Sequence, residues 1–486
     1  MDLPSRRVLS RDGIYQMLQE CIKRKNLSVG RYAYTLIIMA GLESVVVLHD
    51  LLIRLLALCG KLEEANLVFD RVSHPTLYTW NAIIYANSEL ANPERALKLY
   101  QRMRQLGAEP NKFIFLSILR VCSDANNLEQ GRIIHEEIRA HGFLSDVFVG
   151  NTVIDMYIKC NSLEEARDVF DELSRDVISW SIMITGYAHA GDGPAAIKLF
   201  LKLQHEAFLP NKVIFVCMAK LCDDVETLKL LHNQMVEGGI ESVTIVGNVL
   251  IDMYAKLNNL CDALQIFESL ENDDVVSWGA IIAGLVLNGE SLCAVELFVR
   301  LQLKCVHPTN VIFASAIKAC SSLRSLQKGR VIHCQIEWTG LKSDLIIGNS
   351  LVDMYAKCAS TQEALQVFDG LSVRDDVSWG AIFSVYAQQG HDLAALQLLE
   401  RMHCEGMKPN KVVFLSMLRG CGNLEAISSG RQVHDYIIAH GLHHDVEVSS
   451  TLIDMYVKCG SLDEAQKVFD SSPNQDTISW GALIDG

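Results

Sequence analysis

Cysteine and histidine are the residues of this sequence with the greatest capacity for chemistry. The 486-residue chain holds 15 of each, and such residues can coordinate zinc, form disulfides or act as nucleophiles. The run His135-Glu136-Glu137 matches one half of a zinc deaminase signature, but the Pro-Cys-x-x-Cys half is missing. No Cys-x-x-Cys, glycine-rich phosphate loop or nucleophile elbow occurs. We therefore predict no catalytic centre, metal or cofactor in this chain.

The spacing of these residues indicates packing instead. Nine cysteines fill two slots of a repeating pattern: Cys21, Cys122, Cys222, Cys320 and Cys421 in one, and Cys59, Cys160, Cys358 and Cys459 in the other. One copy has Leu257 in the second slot, and a slot that accepts leucine is an apolar packing slot. A further slot holds His135, His232, His333, His434 and, once, Tyr34, which we expect to pack between helices. His440, His443, His444 and Asp445 are expected in a solvated loop.

The pattern itself is a long repeat. The phrase GNTVIDMYIKC at 150–160 returns as GNVLIDMYAKL at 247–257, GNSLVDMYAKC at 348–358 and SSTLIDMYVKC at 449–459. Tryptophans mark the same superperiod of about a hundred residues, at Trp80, Trp180, Trp278, Trp379 and Trp480. Each superperiod divides into three phrases of 31 to 35 residues, and such periods are typical of solenoids. We predict an all-α superhelix of stacked helical hairpins.

One phrase, 147–176, shows how a hairpin is encoded. Val149, Val153, Ile154 and Tyr157 have helical spacing, as do Leu163, Ala166, Val169 and Phe170 after them. Ser-x-x-Glu sequences precede the second run in three phrases, and we predict capping boxes there. These pairs are Ser162 with Glu165, Ser360 with Glu363, and Ser461 with Glu464.

Charge and hydropathy limit the classes of partner. The formal net charge of −15 argues mildly against a nucleic-acid partner, because phosphates favour basic surfaces. Acidic residues concentrate, however, in the second-helix runs such as LEEARDVFDE, away from the first helices. Glu43, Asp50 and Arg54 interrupt the most apolar region, 35–60, so we expect no membrane span and no membrane partner.

The phrases VFVGNTVIDMYIKC, DVISWSIMI and LEQGRIIH resemble the pentatricopeptide repeat family, in particular its PLS class of plant organellar RNA-editing factors. The resemblance covers 11–486 and implies a right-handed superhelical solenoid of helix-turn-helix repeats. It divides 11–476 into fourteen motifs after a short segment, 1–10, with the start of a further P-type motif at 477–486. L-type motifs span 11–45, 112–146, 212–243, 310–344 and 411–445. S-type motifs span 46–76, 147–176, 244–274, 345–375 and 446–476. P-type motifs span 77–111, 177–211, 275–309 and 376–410.

The resemblance implies binding of single-stranded RNA, about one base per repeat, read by the fifth residue of the first helix and the last residue of the motif. Pairs resembling the uracil-preferring pair are Asn151 with Asp176, Asn248 with Asp274, and Asn349 with Asp375. Asn81 with Asn111 resembles a pyrimidine pair, Ser181 with Asn211 and Gly380 with Asn410 adenine pairs, and Ser450 with Asp476 a guanine pair. The bases for Asp50 with Thr76 and for Gly279 with Thr309 stay open. The alternative for each reading-slot Asn is a helix cap.

Three other sets of residues complete this interpretation. Phe148, Ile178, Ile245, Val276 and Ile346 would sandwich the bases, and Lys159, Lys256, Lys357 and Lys458 would face phosphates. The L-type motifs place Leu116, Val216, Ala314 and Leu415 in the reading slot, which suits packing better than base recognition.

The family implies a role in C-to-U editing or processing of organellar transcripts, in the mitochondrion or chloroplast. The chain stops in a half-repeat, TISWGALIDG, so we expect any deaminase to lie outside it, either as a missing carboxyl-terminal domain or as a partner in trans. A protein-binding scaffold like the tetratricopeptide repeats is the alternative function.

Overall fold

The fold consists of helices. The computed structural model describes residues 10–42, 45–72, 74–89, 92–240, 243–270, 274–341, 344–389, 392–472 and 477–485. Within these ranges there are 29 α-helices and no strand. No helix in this part of the chain combines the length and the apolar character needed to cross a membrane. The all-α prediction is confirmed.

The chain divides into two compact units, Met1–Leu221 and Cys222–Gly486. The division falls inside the motif 212–243, which is three residues shorter than the other L-type motifs. Its first helix, Lys212–Lys220, has 9 residues, whereas the equivalent helix Lys112–Asp124 has 13.

The first unit contains helices α1 to α13. Their bounds are α1 Arg11–Arg24, α2 Leu27–Met39, α3 Val46–Leu58, α4 Leu62–Asp70, α5 Leu77–Glu89, α6 Pro93–Gln105, α7 Lys112–Asp124, α8 Leu128–Ala140, α9 Val147–Lys159, α10 Leu163–Glu172, α11 Val177–His189, α12 Gly193–His205 and α13 Lys212–Lys220.

The second unit contains helices α14 to α29. Their bounds are α14 Val225–Glu237, α15 Thr244–Lys256, α16 Leu260–Ser269, α17 Val275–Leu287, α18 Ser291–Leu303, α19 Asn310–Ser322, α20 Leu326–Thr339, α21 Leu345–Lys357, α22 Thr361–Gly370, α23 Asp376–Gln389, α24 Asp392–Cys404, α25 Lys411–Asn423, α26 Ile427–Ala439, α27 Val446–Lys458, α28 Leu462–Ser471 and α29 Thr477–Asp485.

Within each unit the helices stack as hairpins in two layers. Each odd-numbered helix is the first helix of a hairpin and packs on the next odd-numbered helix, as α3 does on α5 and α15 on α17. Each even-numbered helix packs on the first helix of the following hairpin. One hairpin cannot cover its own apolar side, so neighbours share a continuous core. We call the surface formed by the odd-numbered helices of a unit its first-helix face.

Buried tryptophans join successive hairpins. Trp80, Trp180, Trp278 and Trp379 are at most 1% exposed. Each meets a phenylalanine of the preceding second helix edge to face, as Trp180 meets Phe170 with ring centroids 4.8 Å apart. Aromatic pairs of this geometry add to the free energy of apolar burial. The regular tryptophan spacing therefore reflects packing between successive hairpins.

The recurring histidines also join hairpins, as predicted. His135 Nδ1 lies 3.0 Å from the Tyr157 hydroxyl, and the same contact links His232 to Tyr254, His333 to Tyr355 and His434 to Tyr456. Burial lowers the pKa of His135 and raises the pKa of Tyr157 to about 12. Both rings are therefore neutral near pH 7, which suits a buried contact.

The predicted capping boxes are wrong in detail. Ser162, Ser360 and Ser461 stand at the N-cap positions of α10, α22 and α28, but their side chains accept no hydrogen bond from the helix backbone. Each hydroxyl bonds instead to the glutamate three residues later. An arginine from the preceding hairpin also binds that glutamate, as Arg330 Nε binds Glu363 at 2.6 Å. An ion pair between hairpins thus replaces the local cap.

The recurring cysteines are packing residues. None of the fifteen forms a disulfide, and the slot of Cys21, Cys122, Cys222, Cys320 and Cys421 is buried throughout. Burial raises the pKa of Cys122 to about 12. Its thiol therefore stays protonated and unreactive near neutral pH.

Candidate nucleic-acid interface

The predicted reading positions have distinct places in the fold. Asn151, Asn248 and Asn349 are the fifth residues of α9, α15 and α21, already inside the helix. They therefore lie beyond the N-cap, and the capping interpretation is wrong for them. The last residue of many motifs takes that role instead, because it immediately precedes the next first helix; Val45, Val243 and Thr309 stand at that position without a side-chain cap. Asp176, for example, caps α11 by accepting from the Ser179 N–H at 2.8 Å.

The S-type pairs are joined by hydrogen bonds. Asn151 Nδ2 donates to Asp176 Oδ1 at 3.2 Å, and Asn349 Nδ2 donates to Asp375 Oδ1 at 3.1 Å. Asn248 and Asp274 are bridged by the Ser277 hydroxyl, 2.5 Å from the Asn248 oxygen and 3.1 Å from the Asp274 oxygen. Residues 25 or 26 positions apart in the chain therefore form one polar group on the first-helix face.

The aspartates of these pairs are held ionised. Burial by itself would raise the pKa of Asp375, but hydrogen bonds from the Ser378 N–H, the Ser378 hydroxyl and the Asn349 amide outweigh it and lower the pKa. Asp176 and Asp274 have lowered pKa values for the same reasons. An ionised carboxylate only accepts hydrogen bonds, whereas the Asn amide nitrogen donates. Each pair thus offers one donor beside one acceptor.

The P-type pairs are arranged more loosely. Asn111, Asn211 and Asn410 are N-caps that accept backbone N–H groups of α7, α13 and α25. In the described part of the chain, no hydrogen bond joins Asn111 to Asn81 or Asn211 to Ser181. Gly380 is buried and has no side chain to pair with Asn410.

Ser450 forms a different contact. Its hydroxyl bonds to the Val446 carbonyl at 2.7 Å and lies 2.8 Å from the Ser479 hydroxyl. Its predicted partner, Asp476, lies outside the described residues.

Apolar side chains stand beside the polar pairs. The second residue of most first helices is large, apolar and exposed: Phe148 is 67% exposed and Ile346 61%. The same position holds Tyr78, Phe113, Ile178 and Val213 in the first unit, and Ile245, Val276, Val311, Val377 and Val412 in the second. Glu447 replaces the apolar residue in α27. Such regular exposure of apolar side chains is unusual unless a ligand covers them.

The L-type motifs lack a comparable pair. Leu415 is buried in its reading slot, and Leu116, Val216 and Ala314 are half-buried. The last residue of three of these motifs is bound by the first residue of the same motif: Lys112 Nζ lies 3.1 Å from Asp146, Asn310 Nδ2 lies 3.1 Å from Asp344, and Lys411 Nζ lies 3.0 Å from Asp445. Both positions are thus occupied by contacts within the protein.

The four recurring lysines carry carboxylate partners that the sequence interpretation did not include. Lys159 pairs with Asp155 at 2.8 Å, Lys256 with Asp252 at 2.7 Å, Lys357 with Asp353 at 2.9 Å and Lys458 with Asp454 at 2.7 Å. Each pair spans one turn of a first helix. The spacing Asp-x-x-x-Lys is visible in the sequence and is favourable on a helix. The four lysines that were expected to face phosphates therefore form a row of ion pairs.

Asp50 lies in a cavity of the first unit; the sequence analysis left open which RNA base its motif would read. The cavity has a volume of about 890 Å³ and is lined by Asp50 together with Tyr15, Arg54, Tyr78 and Asn81. The Oδ1 atom of Asp50 is buried and has no hydrogen-bond partner among the described residues. Burial raises the pKa of Asp50, although the Thr79 and Thr76 hydroxyls oppose the shift.

Two serines were missed by the sequence analysis. Ser277 and Ser378, the third residues of α17 and α23, are fully buried and touch both members of the preceding pair. The constant serine before tryptophan in DVVSW and DDVSW was the available signal. Elsewhere in the described ranges, no group of three or more His, Cys, Asp or Glu residues could hold a metal ion.

Two protein-family models match segments of this chain. The model described as PPR repeat matches residues 151–176, 178–207, 276–306 and 448–472. The model described as pentatricopeptide repeat domain matches residues 74–125 and 373–424. A crystal structure of the pentatricopeptide repeat protein PPR10 from maize aligns with 98% of this chain and 91% of that chain, at 16% identity and a TM-score of 0.46.

Relatives in Arabidopsis thaliana align over most of the chain. A mitochondrial pentatricopeptide repeat-containing protein is 30% identical over 473 residues, which are 97% of this chain and 43% of that protein. A chloroplastic one is 31% identical over 431 residues, or 88% of this chain and 70% of that protein. The chain thus spans between 43% and 70% of the length of these two relatives. With such identity over more than two thirds of a relative, the chain belongs to the pentatricopeptide repeat family.

Proposed function

We propose that this chain binds single-stranded RNA sequence-specifically, reading about one base per P-type and S-type motif. The observation that carries the proposal is the placement of Asn–Asp pairs beside exposed apolar side chains on the first-helix face. Asn349, in α21, supplies a hydrogen-bond donor, and Asp375, at the end of the same motif, supplies an acceptor. Ile346, 61% exposed, supplies an apolar surface in the same helix turn.

The polar groups of the pair fit the edge of uracil. Uracil presents a carbonyl acceptor, O4, next to the N3–H donor, so the Asn amide can donate while the aspartate accepts. The apolar side chains contact the flat face of any base, which adds affinity without selecting a sequence. Specificity and affinity therefore come from different residues of the same motif.

The motif order then gives a target sequence. With the RNA running 5′ to 3′ along the protein from amino to carboxyl end, the forecast starts at the motif 77–111. It reads pyrimidine, any, U, A, any, U, open, any, U, A, any, G. Four lysines of this face are paired with aspartates, which reduces their contribution to phosphate binding, so we expect modest non-specific affinity.

The biological setting we infer is the PLS class of the family, with this chain as the specificity module of organellar RNA editing or processing. Relatives described as mitochondrial and chloroplastic support an organellar location. A deaminase supplied in trans, or by further sequence, would perform the C-to-U chemistry. A protein-binding scaffold is the alternative that the binding experiment addresses.

Selection from a random single-stranded RNA pool at near-physiological salt tests the proposal. Enrichment of the forecast spacing of U, A, U, U, A and G is the expected result. The variant Ile346→Asp should weaken binding, whereas Leu201→Asp, at an exposed apolar residue of the second helix α12, should not. Binding without sequence preference, or equal loss in both variants, would contradict base reading. A folded protein that binds no RNA would favour the scaffold function.

A further inference from the structure

Two serines lie behind the base-reading pairs of the second unit. Ser378 Oγ lies 2.6 Å from Asn349 Oδ1 and 2.8 Å from Asp375 Oδ1. Ser277 Oγ lies 2.5 Å from Asn248 Oδ1 and 3.1 Å from Asp274 Oδ1. Both serines belong to the following P-type motif and are 0% exposed. Each is therefore shielded from any ligand but touches both side chains that would face one.

The contacts fix which way the Asn amide points. Asp375 is ionised and only accepts hydrogen bonds, so the amide must turn its nitrogen toward it, as the 3.1 Å contact shows. The amide oxygen then faces the Ser378 hydroxyl, whose single hydrogen is shared by the Asn349 and Asp375 oxygens. A flipped amide would place two acceptors together and leave its nitrogen facing the serine. The serine holds one end of the amide and the aspartate holds the other.

The contacts of Ser378 and Asp375 with the Asn349 amide determine which hydrogen-bonding groups remain available to a base. One hydrogen of Asn349 Nδ2 is used by Asp375, and the second is left for a ligand. Three hydrogen bonds converge on Asp375 Oδ1, from Ser378 N, Ser378 Oγ and Asn349 Nδ2. None reaches Oδ2 among the described residues. The fixed donor and the second carboxylate oxygen match O4 and N3–H of uracil.

The first unit contains a natural comparison. Ser179 occupies the same position in α11 and bonds to Asp176 at 2.9 Å. However, the Asn151 oxygen is buried and has no hydrogen-bond partner in the described part of the chain. Ser179 completes a capping box with Asp176. Here the serine stabilises the helix start without holding the amide of the preceding motif.

We propose that Ser277 and Ser378 are positioning residues for base recognition, so that the choice of base in one S-type motif depends on the third residue of the next motif. This inference rests on the proposed RNA-binding function. Without the serine, only the aspartate holds the amide, so the amide rotates more freely and can turn its oxygen toward the ligand. It then loses the donor to uracil O4 and admits cytosine, whose N4 amino group donates.

The test compares two RNAs that differ only in U or C at the base assigned to Asn349 and Asp375. Equilibrium affinities are measured with the purified chain and with Ser378→Ala, Ser378→Cys and Ser378→Thr. The ratio of U to C affinity should fall about five-fold or more in the Ala and Cys variants, because these variants no longer orient the amide that makes one base contact. The Thr variant keeps the hydroxyl and should keep the ratio. Ser179→Ala should leave the ratio unchanged at the base of Asn151.

The outcomes separate the two proposals. Loss of the serine hydroxyl also weakens the start of α23, which lowers the melting temperature and the affinity for both RNAs equally. An unchanged U to C ratio in Ser378→Ala and Ser378→Cys, with the parent still selecting U, would overturn the positioning role alone. A parent chain that shows no preference between the RNAs would overturn base reading itself. Ser378→Cys leaves no cavity at the buried site, so it covers the case in which the Ala variant does not fold.

Discussion

Lys159 Nζ lies 2.8 Å from Asp155 Oδ2, one turn earlier in α9. The pair recurs in α15, α21 and α27. Both side chains are about half exposed, so each pair contributes little to folding stability. Its effect is electrostatic: a carboxylate stands beside each cation that we propose to meet a phosphate. The first-helix face is thereby less basic than its lysines suggest.

Replacing Asp155 by Asn should tighten RNA binding. The change leaves Lys159 unpaired and free to neutralise a phosphate, so the slope of log affinity against log salt should steepen by about 0.7. Fluorescence anisotropy titrations at several salt concentrations measure both quantities. Asp171→Asn is the matched control, because Asp171 pairs with Arg167 at the same helical spacing in the second helix α10. Equal effects of the two changes would show that the gain in RNA affinity comes from the change in net charge and not from the release of Lys159.

The double change Asn151→Ser with Asp176→Asn should shift the base preferred at that position from U toward A. The new pair reproduces Ser181 with Asn211, and the cost on the original RNA should be about 1–3 kcal/mol, as for one mismatched base. Competition binding with RNAs differing at that base measures the shift. Leu116→Ser in the L-type motif should leave base preference unchanged, because Lys112 holds Asp146. A double variant that selects the parental RNA would show that the register is wrong.

The protein should lose stability as the pH falls below about 6.5. Burial lowers the pKa of His135 and His434 in the folded state, so the unfolded chain takes up protons first and is favoured by acid. The charges facing His135 are Arg139, which adds to the shift, and Glu136, Glu172 and Glu165, which oppose it. Below about pH 4 the aspartates with lowered pKa values add a second loss.

Melting temperatures between pH 7.5 and 5.5 test the histidine contribution. His135→Asn should flatten the pH dependence, even if the variant is less stable at every pH. His189→Gln, at an exposed histidine of α11, should leave the dependence as in the parent. A slope that is the same in all three proteins would exclude His135 as its source.

Gly284→Ala should destabilise the second unit by about 1–3 kcal/mol. An added Cβ would stand 2.5 Å from the Cβ of Ala255, and neither atom can rotate away, so α17 and α15 must separate. Gly370→Ala, where a Cβ meets nothing within 4 Å, should be neutral or slightly stabilising. Chemical denaturation measures both. Ala255→Gly combined with Gly284→Ala should restore most of the loss, and failure to do so would contradict this close approach.

Much of the local structure could be predicted from the sequence. Apolar residues at helical spacing placed α9 and α10 correctly, and each first helix begins at the first residue of its repeat phrase. The recurrence of Asn151 and Asp176 at fixed positions identified residues that meet in the fold. Helical periodicity and N-cap residues act within a few positions of the chain, so a single sequence suffices to detect them. The Asp–Lys pairs were equally local and could have been predicted.

Contacts between hairpins were decided only by the tertiary structure. Glu363 was expected to cap its own helix, but Arg330 of the preceding hairpin reaches it, and an ion pair at the hairpin surface competes with a backbone cap. Ser378 belongs to a repeated Ser-Trp sequence to which the sequence analysis gave no role, yet its hydroxyl lies 2.6 Å from Asn349, 29 positions earlier. The sequence determined which residues repeat, because stacking requires a constant apolar frame. Which polar atoms face each other depends on how far one helix is rotated against the next, and that rotation is set by packing across the whole layer.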